Sequence, residues 1–76
     1  MVTAYVMIKS MIGEVETIRD DVKAIEGVID AHIVAGDVDV IAKLEVASPD
    51  AIKALVGEEI HGIDGIDSTT TYIAMD

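Results

Sequence analysis

One short segment of the chain combines residue types that can hold a charged small molecule. It reads Ala35-Gly36-Asp37-Val38-Asp39 and lies between two β-branched apolar runs. An Asp carboxylate accepts hydrogen bonds from a cationic group, and a glycine amide can come close to an anion because glycine has no Cβ. An isolated Gly-Asp pair is most simply explained as turn chemistry, since both residues favour turns. By itself the segment predicts a hairpin turn near Gly36 and Asp37 and leaves a binding role open.

A second polar segment is the run Thr69-Thr70-Thr71. Threonine favours strands, so hydroxyl groups in water on an ordinary strand are the simplest explanation of the run. Because side chains alternate along a strand, Thr70 points away from the face that Thr69 and Thr71 share. Only one of these two sets can contribute to a single binding site.

The other reactive residue types lack the spacing of a catalytic or metal site. The chain has no Cys, and His32 and His61 are far apart and outside any His-x-x-His pattern, which disfavours a transition-metal site. Asp37 and Asp39 are similar to the start of a calcium loop, but the remaining ligands and the closing Glu are missing. The serines have no motif around them that pairs a nucleophile with a base. We therefore predict no metal, no cofactor and no catalytic residue, and hence a protein that is not an enzyme.

Hydrophobic periodicity predicts the elements that must position these segments. A period of two predicts strands over residues 2–8, 28–35, 38–46 and 66–75. A helical period over 15–25 predicts a first helix that Gly27 ends, and a Ser48-Pro49 start predicts a second helix that extends to Ile60. The order is β-α-β-β-α-β.

That order predicts one α+β domain, residues 1–76, with the ferredoxin-like fold: an antiparallel four-stranded sheet with two helices on one face. The helix-free face of the sheet then needs a cover, because its expected residues are too apolar to leave in water as one patch. These expected residues are Tyr5, Met7, Ile41, Ile73 and Met75. A second subunit laid against this face is the simplest cover.

The charge of the chain excludes some partners. Fifteen acidic residues against five basic ones give a formal net charge of −10, which opposes contact with a phosphate backbone. We therefore predict no direct binding of nucleic acid. The same excess of carboxylates is typical of halophilic proteins, in which salt screens the repulsion between like charges. No apolar run is long enough for a membrane span, and no basic region precedes the apolar start, so we predict a cytoplasmic protein with no membrane partner.

Two motifs resemble a known family. The segment from Ala31 to Lys43, with the Gly36-Asp37-Val38-Asp39 turn in it, is similar to the central hairpin of the effector domain of Lrp/AsnC regulators, also called the RAM domain. The segment from Gly65 to Met75, with its Thr-x-Thr pattern, is similar to the last strand of that domain. Val38 stands where the family usually has an aromatic residue, and Ala35 where Thr is common.

The resemblance implies a binding module. In that family the hairpin lines a pocket for a free amino acid between adjoining dimers, and a helix-turn-helix segment precedes the domain. This chain begins directly at the first strand, so we expect a stand-alone sensor, a homo-oligomer of dimers that assemble into an octamer or similar ring, and co-assembly with full-length Lrp/AsnC proteins as a further option. The ligand-binding residues that the resemblance implies are Ala35, Gly36, Asp37, Asp39, Thr69 and Thr71.

Two alternatives remain open on the same fold. An ACT-type amino-acid-binding regulatory domain would carry an Asp-Arg-Pro-Gly-like segment after the first strand, where this chain has Lys9-Ser10-Met11-Ile12-Gly13-Glu14. A small dimeric monooxygenase would need an aromatic-lined pocket and an acid-base pair, and the sequence offers neither.

Overall fold

The computed structural model describes residues 1–11 and 13–76, which form a four-stranded antiparallel sheet packed on helices. The first half contains strand β1 (Val2–Ser10), helix α1 (Val15–Lys23) and strand β2 (Val28–Ile33). The second half contains β3 (Val40–Val46), helix α2 (Pro49–Ala54), a π-helical segment (Leu55–Ile60) that continues α2, and β4 (Ile66–Ile73). The strands lie in the order β2-β3-β1-β4, so the predicted ferredoxin-like fold is confirmed.

One hydrophobic core lies between the sheet and the helices. Every second residue of β3 from Val40 to Val46 is buried, and β1 alternates in the same way at Ala4, Val6 and Ile8. The helical segments complete the same cluster with Ile18, Val22, Ile52, Leu55 and Ile60. Burial of these aliphatic groups supplies the main stabilisation, at about 25 cal/mol per Å² of apolar surface. Because strand side chains alternate, the burial pattern also fixes which residues lie on the other, helix-free face.

Helix α1 ends as its sequence predicts. Gly27 has a φ of +100°, a conformation that other residues rarely adopt. A Cβ at this position would also lie 2.8 Å from Leu55 Cδ1, because the turn packs directly on the second helical segment. Gly27 is therefore required both by its backbone angle and by the packing around it.

Helix α2 begins at the predicted cap and ends in an unpredicted way. Ser48 Oγ accepts a hydrogen bond of 3.4 Å from the Ala51 amide, and Pro49 occupies the first turn. From Leu55 to Ile60 the backbone widens into a π-helix, and the His61 amide donates to the Val56 carbonyl. π-Helical turns are rare and do not follow from apolar periodicity. This turn determines where His61 lies relative to β4.

The predicted hairpin turn near Gly36 and Asp37 is confirmed, but the strands on either side of it are shorter than predicted. Strand β2 ends at Ile33 and β3 begins at Val40, so a six-residue connection joins the two paired strands. Gly36 does not have a positive φ, which is confined to Gly27 and Gly65 among the described residues. Beyond the strand ends the Val34 amide still donates to the Asp39 carbonyl, and Asp39 is also hydrogen-bonded to β1 through its amide and its carboxylate, so the connection is fixed by contacts that local turn rules do not include.

The composition of the helix-free face also differs from the prediction. Tyr5, Met7 and Ile41 lie on it as expected, but Ile73 lies opposite the buried Ala4 and so points to the helix side. Met75 lies beyond the end of β4. The difference arises because the register of β4 depends on a bulge opposite Lys9 and Ser10. The paired residues of the helix-free face are Thr3, Tyr5, Met7, Lys9, Asp30, His32, Ile41, Lys43, Glu45, Ser68, Thr70 and Tyr72.

Candidate ligand-binding site

Asp39 is the most firmly held of the predicted site residues. Its Oδ2 accepts hydrogen bonds from the Ser10 amide at 2.8 Å and from Ser10 Oγ at 3.0 Å. Its own amide donates to the Ile8 carbonyl at 2.9 Å, and its carbonyl accepts from the Val34 amide at 2.9 Å. Asp39 thus joins the start of β3 to the ends of both neighbouring strands.

These contacts keep the Asp39 carboxylate ionised. The Ser10 amide, then the Ser10 hydroxyl, and also the positive charge of Lys9 hold the pKa of Asp39 below its ordinary value of 3.8. Both Ser10 bonds go to Oδ2, and no hydrogen bond to Oδ1 occurs within the described part of the chain. The carboxylate can therefore accept a further hydrogen bond from a cationic group.

The rest of the connection is open. Ala35, Gly36 and Asp37 are exposed, and a Cβ placed on Gly36 would meet nothing within 4 Å. Nothing in the described part of the chain thus requires glycine at this position. The open side of Gly36 leaves its backbone free to approach a ligand or another protomer.

Thr69 and Thr71 share one face, as alternation predicts. Thr69 lies opposite Ile8 and Thr71 opposite Val6, both on the helix side, whereas Thr70 lies opposite Met7 on the helix-free face. The Thr69 hydroxyl is 2.8 Å from His61 Nε2, within hydrogen-bond distance. Both Thr69 and Thr71 are half-buried.

The single chain places Asp39 and Thr69 at the same end of the sheet but does not enclose them in one cavity. Asp39 bonds to one side of Ile8, and Thr69 pairs with the other side, so strand β1 lies between them. With strands about 4.8 Å apart, the two backbones are separated by roughly 10 Å. Thr71 lies two residues further along β4. The binding role of these residues stays a prediction.

Two partners of the site were not found from the sequence. Ser10 lies on the same face of β1 as Ala4, Val6 and Ile8, which pack toward the helices. A hydroxyl among these inward-facing apolar residues could have predicted a polar contact. His61 gives no such signal, because its position beside Thr69 depends on the π-helical turn.

An open cleft of about 620 Å³ lies at the other end of the sheet. Val46, Ala51 and Leu55 form part of its apolar floor, and Glu26 and Glu58 stand at its rim. None of the predicted ligand residues lines it. Within residues 1–11 and 13–76 no group of His, Asp or Glu side chains is arranged to hold a metal ion, and no helix there is long and apolar enough to cross a membrane.

Comparison with known proteins gives one family. Residues 3–76 match the model of the Lrp/AsnC ligand-binding domain. The leucine-responsive regulatory proteins of Escherichia coli (strain K12) and Klebsiella pneumoniae are each 31% identical to this chain over 61 residues, which is 80% of the chain and 37% of the relative. The chain thus spans little more than a third of the length of these curated relatives.

Solved structures agree with this assignment. The hypothetical protein PHS023 from Pyrococcus horikoshii is 28% identical, with a TM-score of 0.91 over 99% of this chain and 90% of that one. FFRP-DM1 is also 28% identical, with a TM-score of 0.92 over 99% of this chain and 100% of that one. AsnC of E. coli shares the fold, with a TM-score of 0.92 at 22% identity over 99% of this chain and 51% of AsnC.

The matched family is a ligand-binding domain of transcriptional regulators, which confirms the prediction that the chain is not an enzyme. The chain belongs to the Lrp/AsnC family, within its ligand-binding domain.

Proposed function

We propose that this protein is an amino-acid-sensing module that self-associates and modulates transcriptional regulation or metabolism without binding DNA itself. The observation that carries the proposal is the match of residues 3–76 to a ligand-binding domain, with an ionised Asp39 at the end of the predicted binding hairpin. The net charge of −10 supports the part of the proposal that concerns DNA, because two negative surfaces repel.

The chemistry of the hairpin suits an amino acid. A zwitterion needs an acceptor for its ammonium group and donors for its carboxylate. Asp39 Oδ1 supplies the acceptor, and the open backbone around Gly36 supplies amide donors. Ala35 and Asp37 flank this backbone, and the hydroxyls of Thr69 and Thr71 lie across β1. A neighbouring dimer completes the pocket, since strand β1 separates the two sets within one chain.

The exposed helix-free face supports self-association. Tyr5 and Tyr72, which pair with each other on this face, are 37% and 58% exposed, and Met7 and Ile41 form the adjacent pair. A second copy laid on this face would remove these side chains from water. Such sheet-to-sheet dimers assemble further, into an octamer or similar ring, so that hairpins of different dimers meet.

Several finer features belong to the same proposal. PHS023 and FFRP-DM1, which this chain covers over 90% and 100% of their length, support a single-domain, stand-alone form of residues 1–76. Co-assembly with full-length Lrp/AsnC proteins, a cytoplasmic location and adaptation to high salt are also proposed, the last from the acidic excess.

A thermal-shift screen of the twenty amino acids in molar salt tests the sensing function. A ligand that binds only the native state raises stability by RT ln(1 + [L]/Kd), which is about 2.7 kcal/mol at a hundredfold excess over Kd. L-Methionine is an informative member of the screen, because a regulator from Neisseria meningitidis with this fold, at 13% identity, was solved as its L-Met complex.

Variants then locate the site. We expect Asp39→Ala to lose the stabilisation by the selected amino acid, because it removes the acceptor for the ammonium group. Asp50→Ala, an exposed carboxylate in the first turn of α2, is the matched control and should retain it. If no amino acid stabilises the wild type, the sensing function is wrong. If both variants bind like the wild type, the site lies elsewhere.

A further inference from the structure

The helix-free face is neutral although the chain is strongly acidic. Its paired strand positions hold two lysines, Lys9 and Lys43, and two acidic residues, Asp30 and Glu45, so their charges cancel. The formal net charge of −10 is therefore carried by other parts of the chain. Asp67, the extra residue of the β4 bulge, lies at the margin and has no opposite residue.

The charges are arranged around an apolar centre. One row across the four strands reads Asp30, Lys43, Tyr5 and Tyr72. The adjacent row reads His32, Ile41, Met7 and Thr70. In these two rows the charged groups lie on β2 and β3 and the tyrosines on β1 and β4, and Lys9 adds one charge at the end of β1. A surface with both signs of charge and an apolar centre can be complementary to a copy of itself.

Within residues 1–11 and 13–76, neither Lys43 nor Glu45 has an ion-pair partner. In this part of the chain Arg19 forms an ion pair with Asp20, and the His32 ring is within hydrogen-bond distance of Asp30. Lys43 and Glu45 are half-buried by their neighbours and lie two residues apart on the same face of β3. Their charges are therefore available to groups that approach the face.

We propose that this charge balance selects the partner: the helix-free face accepts a second copy of this chain, and Lys43 and Glu45 are the residues that determine this specificity. The inference rests on the proposed sheet-to-sheet association and names the partner and the selecting groups. Protomers of charge −10 repel each other in every orientation that brings two acidic surfaces together. Two copies can approach closely through the neutral face without that repulsion, and Lys43 of each copy then meets Glu45 of the other across the twofold axis. Like charges that face each other across an interface raise the free energy of the complex enough to disfavour wrong partners.

Charge reversal tests the proposal. Lys43→Glu changes the net charge of the helix-free face from 0 to −2, and Glu45→Lys changes it from 0 to +2. At pH 7.5 and 0.1 M salt, each substitution should raise the Kd for self-association by about tenfold or more. The double variant Lys43→Glu/Glu45→Lys restores neutrality and should associate within about threefold of the wild type. An equimolar mixture of the two single variants should form mixed dimers in preference to either homodimer. Light scattering after size exclusion and native mass spectrometry measure these states.

Lys53→Glu is the matched control, because it makes the same change in net charge on an exposed residue of α2 away from the face. It should alter the Kd by less than about threefold, and melting curves of all variants verify the fold. If the wild type is a monomer, the proposed association itself fails. If the wild type associates but Lys43→Glu is no weaker than Lys53→Glu, or the double variant stays as weak as the single ones, the specificity proposal is overturned.

Discussion

Substitutions at Gly27 and Gly36 compare a glycine that the fold requires with a glycine that the fold does not require. Gly27 has a φ of +100°, and a Cβ there would lie 2.8 Å from Leu55 Cδ1 and 3.3 Å from Val46 Cγ1. A strained backbone angle costs about 1–3 kcal/mol, and the tip of the Leu55 side chain, which borders the open cleft, must shift to admit the new Cβ. Gly27→Ala should therefore destabilise the protein by at least about 1 kcal/mol. For a domain of this size each kcal/mol corresponds to roughly 4–8 °C in melting temperature, so a fall of about 4 °C or more is expected.

Gly36→Ala should behave in the opposite way. The φ of Gly36 is not positive, and a Cβ would meet nothing within 4 Å, so the change in stability should stay within about 0.5 kcal/mol. Gly36→Val should be folded as well, but the larger side chain would obstruct an amino acid that approaches this backbone. Calorimetry with the amino acid selected in the screen should show weaker binding for Gly36→Val.

Thermal unfolding at one fixed protein concentration measures the two stabilities, because association makes the melting temperature depend on concentration. A loss of stability in Gly36→Ala as large as that in Gly27→Ala would contradict the open connection between β2 and β3. Unchanged amino-acid affinity in a folded Gly36→Val variant would exclude close ligand contact at the hairpin tip.

Three further predictions concern charge. Ser10→Ala should raise the pKa of Asp39 only part of the way toward 3.8, because it removes the Ser10 hydroxyl but keeps the Ser10 amide, which lowers this pKa most. The pKa of Asp30 should stay unchanged, because it is lowered chiefly by the bond to His32; carboxyl NMR titration measures both. Since a lowered native pKa stabilises the fold above the unfolded value, the wild type should lose stability as pH falls below about 3.8, and Ser10→Ala should lose less over that range. The melting temperature should rise between 0.1 M and 1 M salt, where the Debye length shortens from about 10 Å to about 3 Å, and a flat or falling temperature would contradict a repulsive acidic surface. Fluorescence anisotropy with duplex DNA should show no saturable binding at low salt, and binding that weakens as salt is added would show that the charge argument is wrong.

Local rules predicted the elements of this fold. The alternation in β1 and β3 identifies which residues are buried, because one face of each strand must pack on the helices. Ser48 and Pro49 predict the start of α2, and Gly27 predicts the turn after α1, since both depend on the backbone geometry of a few adjacent residues. These features are encoded within one or two turns of the chain.

Features that depend on distant contacts were predicted less well. The Asp39 carboxylate is hydrogen-bonded to Ser10, which is 29 positions away in the sequence. Ile73 was assigned to the wrong face because the register of β4 depends on a bulge opposite Lys9 and Ser10. His61 reaches Thr69 only because the second helix widens into a π-turn. Hydrophobic periodicity carries no information about these three contacts.

The arrangement of the site follows from the arrangement of the sheet. Asp39 and Thr69 are held at one end of the sheet by internal hydrogen bonds to Ser10 and His61, and β1 keeps them apart. One chain therefore presents the predicted binding residues without enclosing them. In the proposed assembly a neighbouring dimer covers that end and completes the pocket, so the proposal requires that amino-acid binding and association between dimers be thermodynamically linked. By reciprocity, an amino acid that stabilises the larger assembly binds more tightly to it by the same factor.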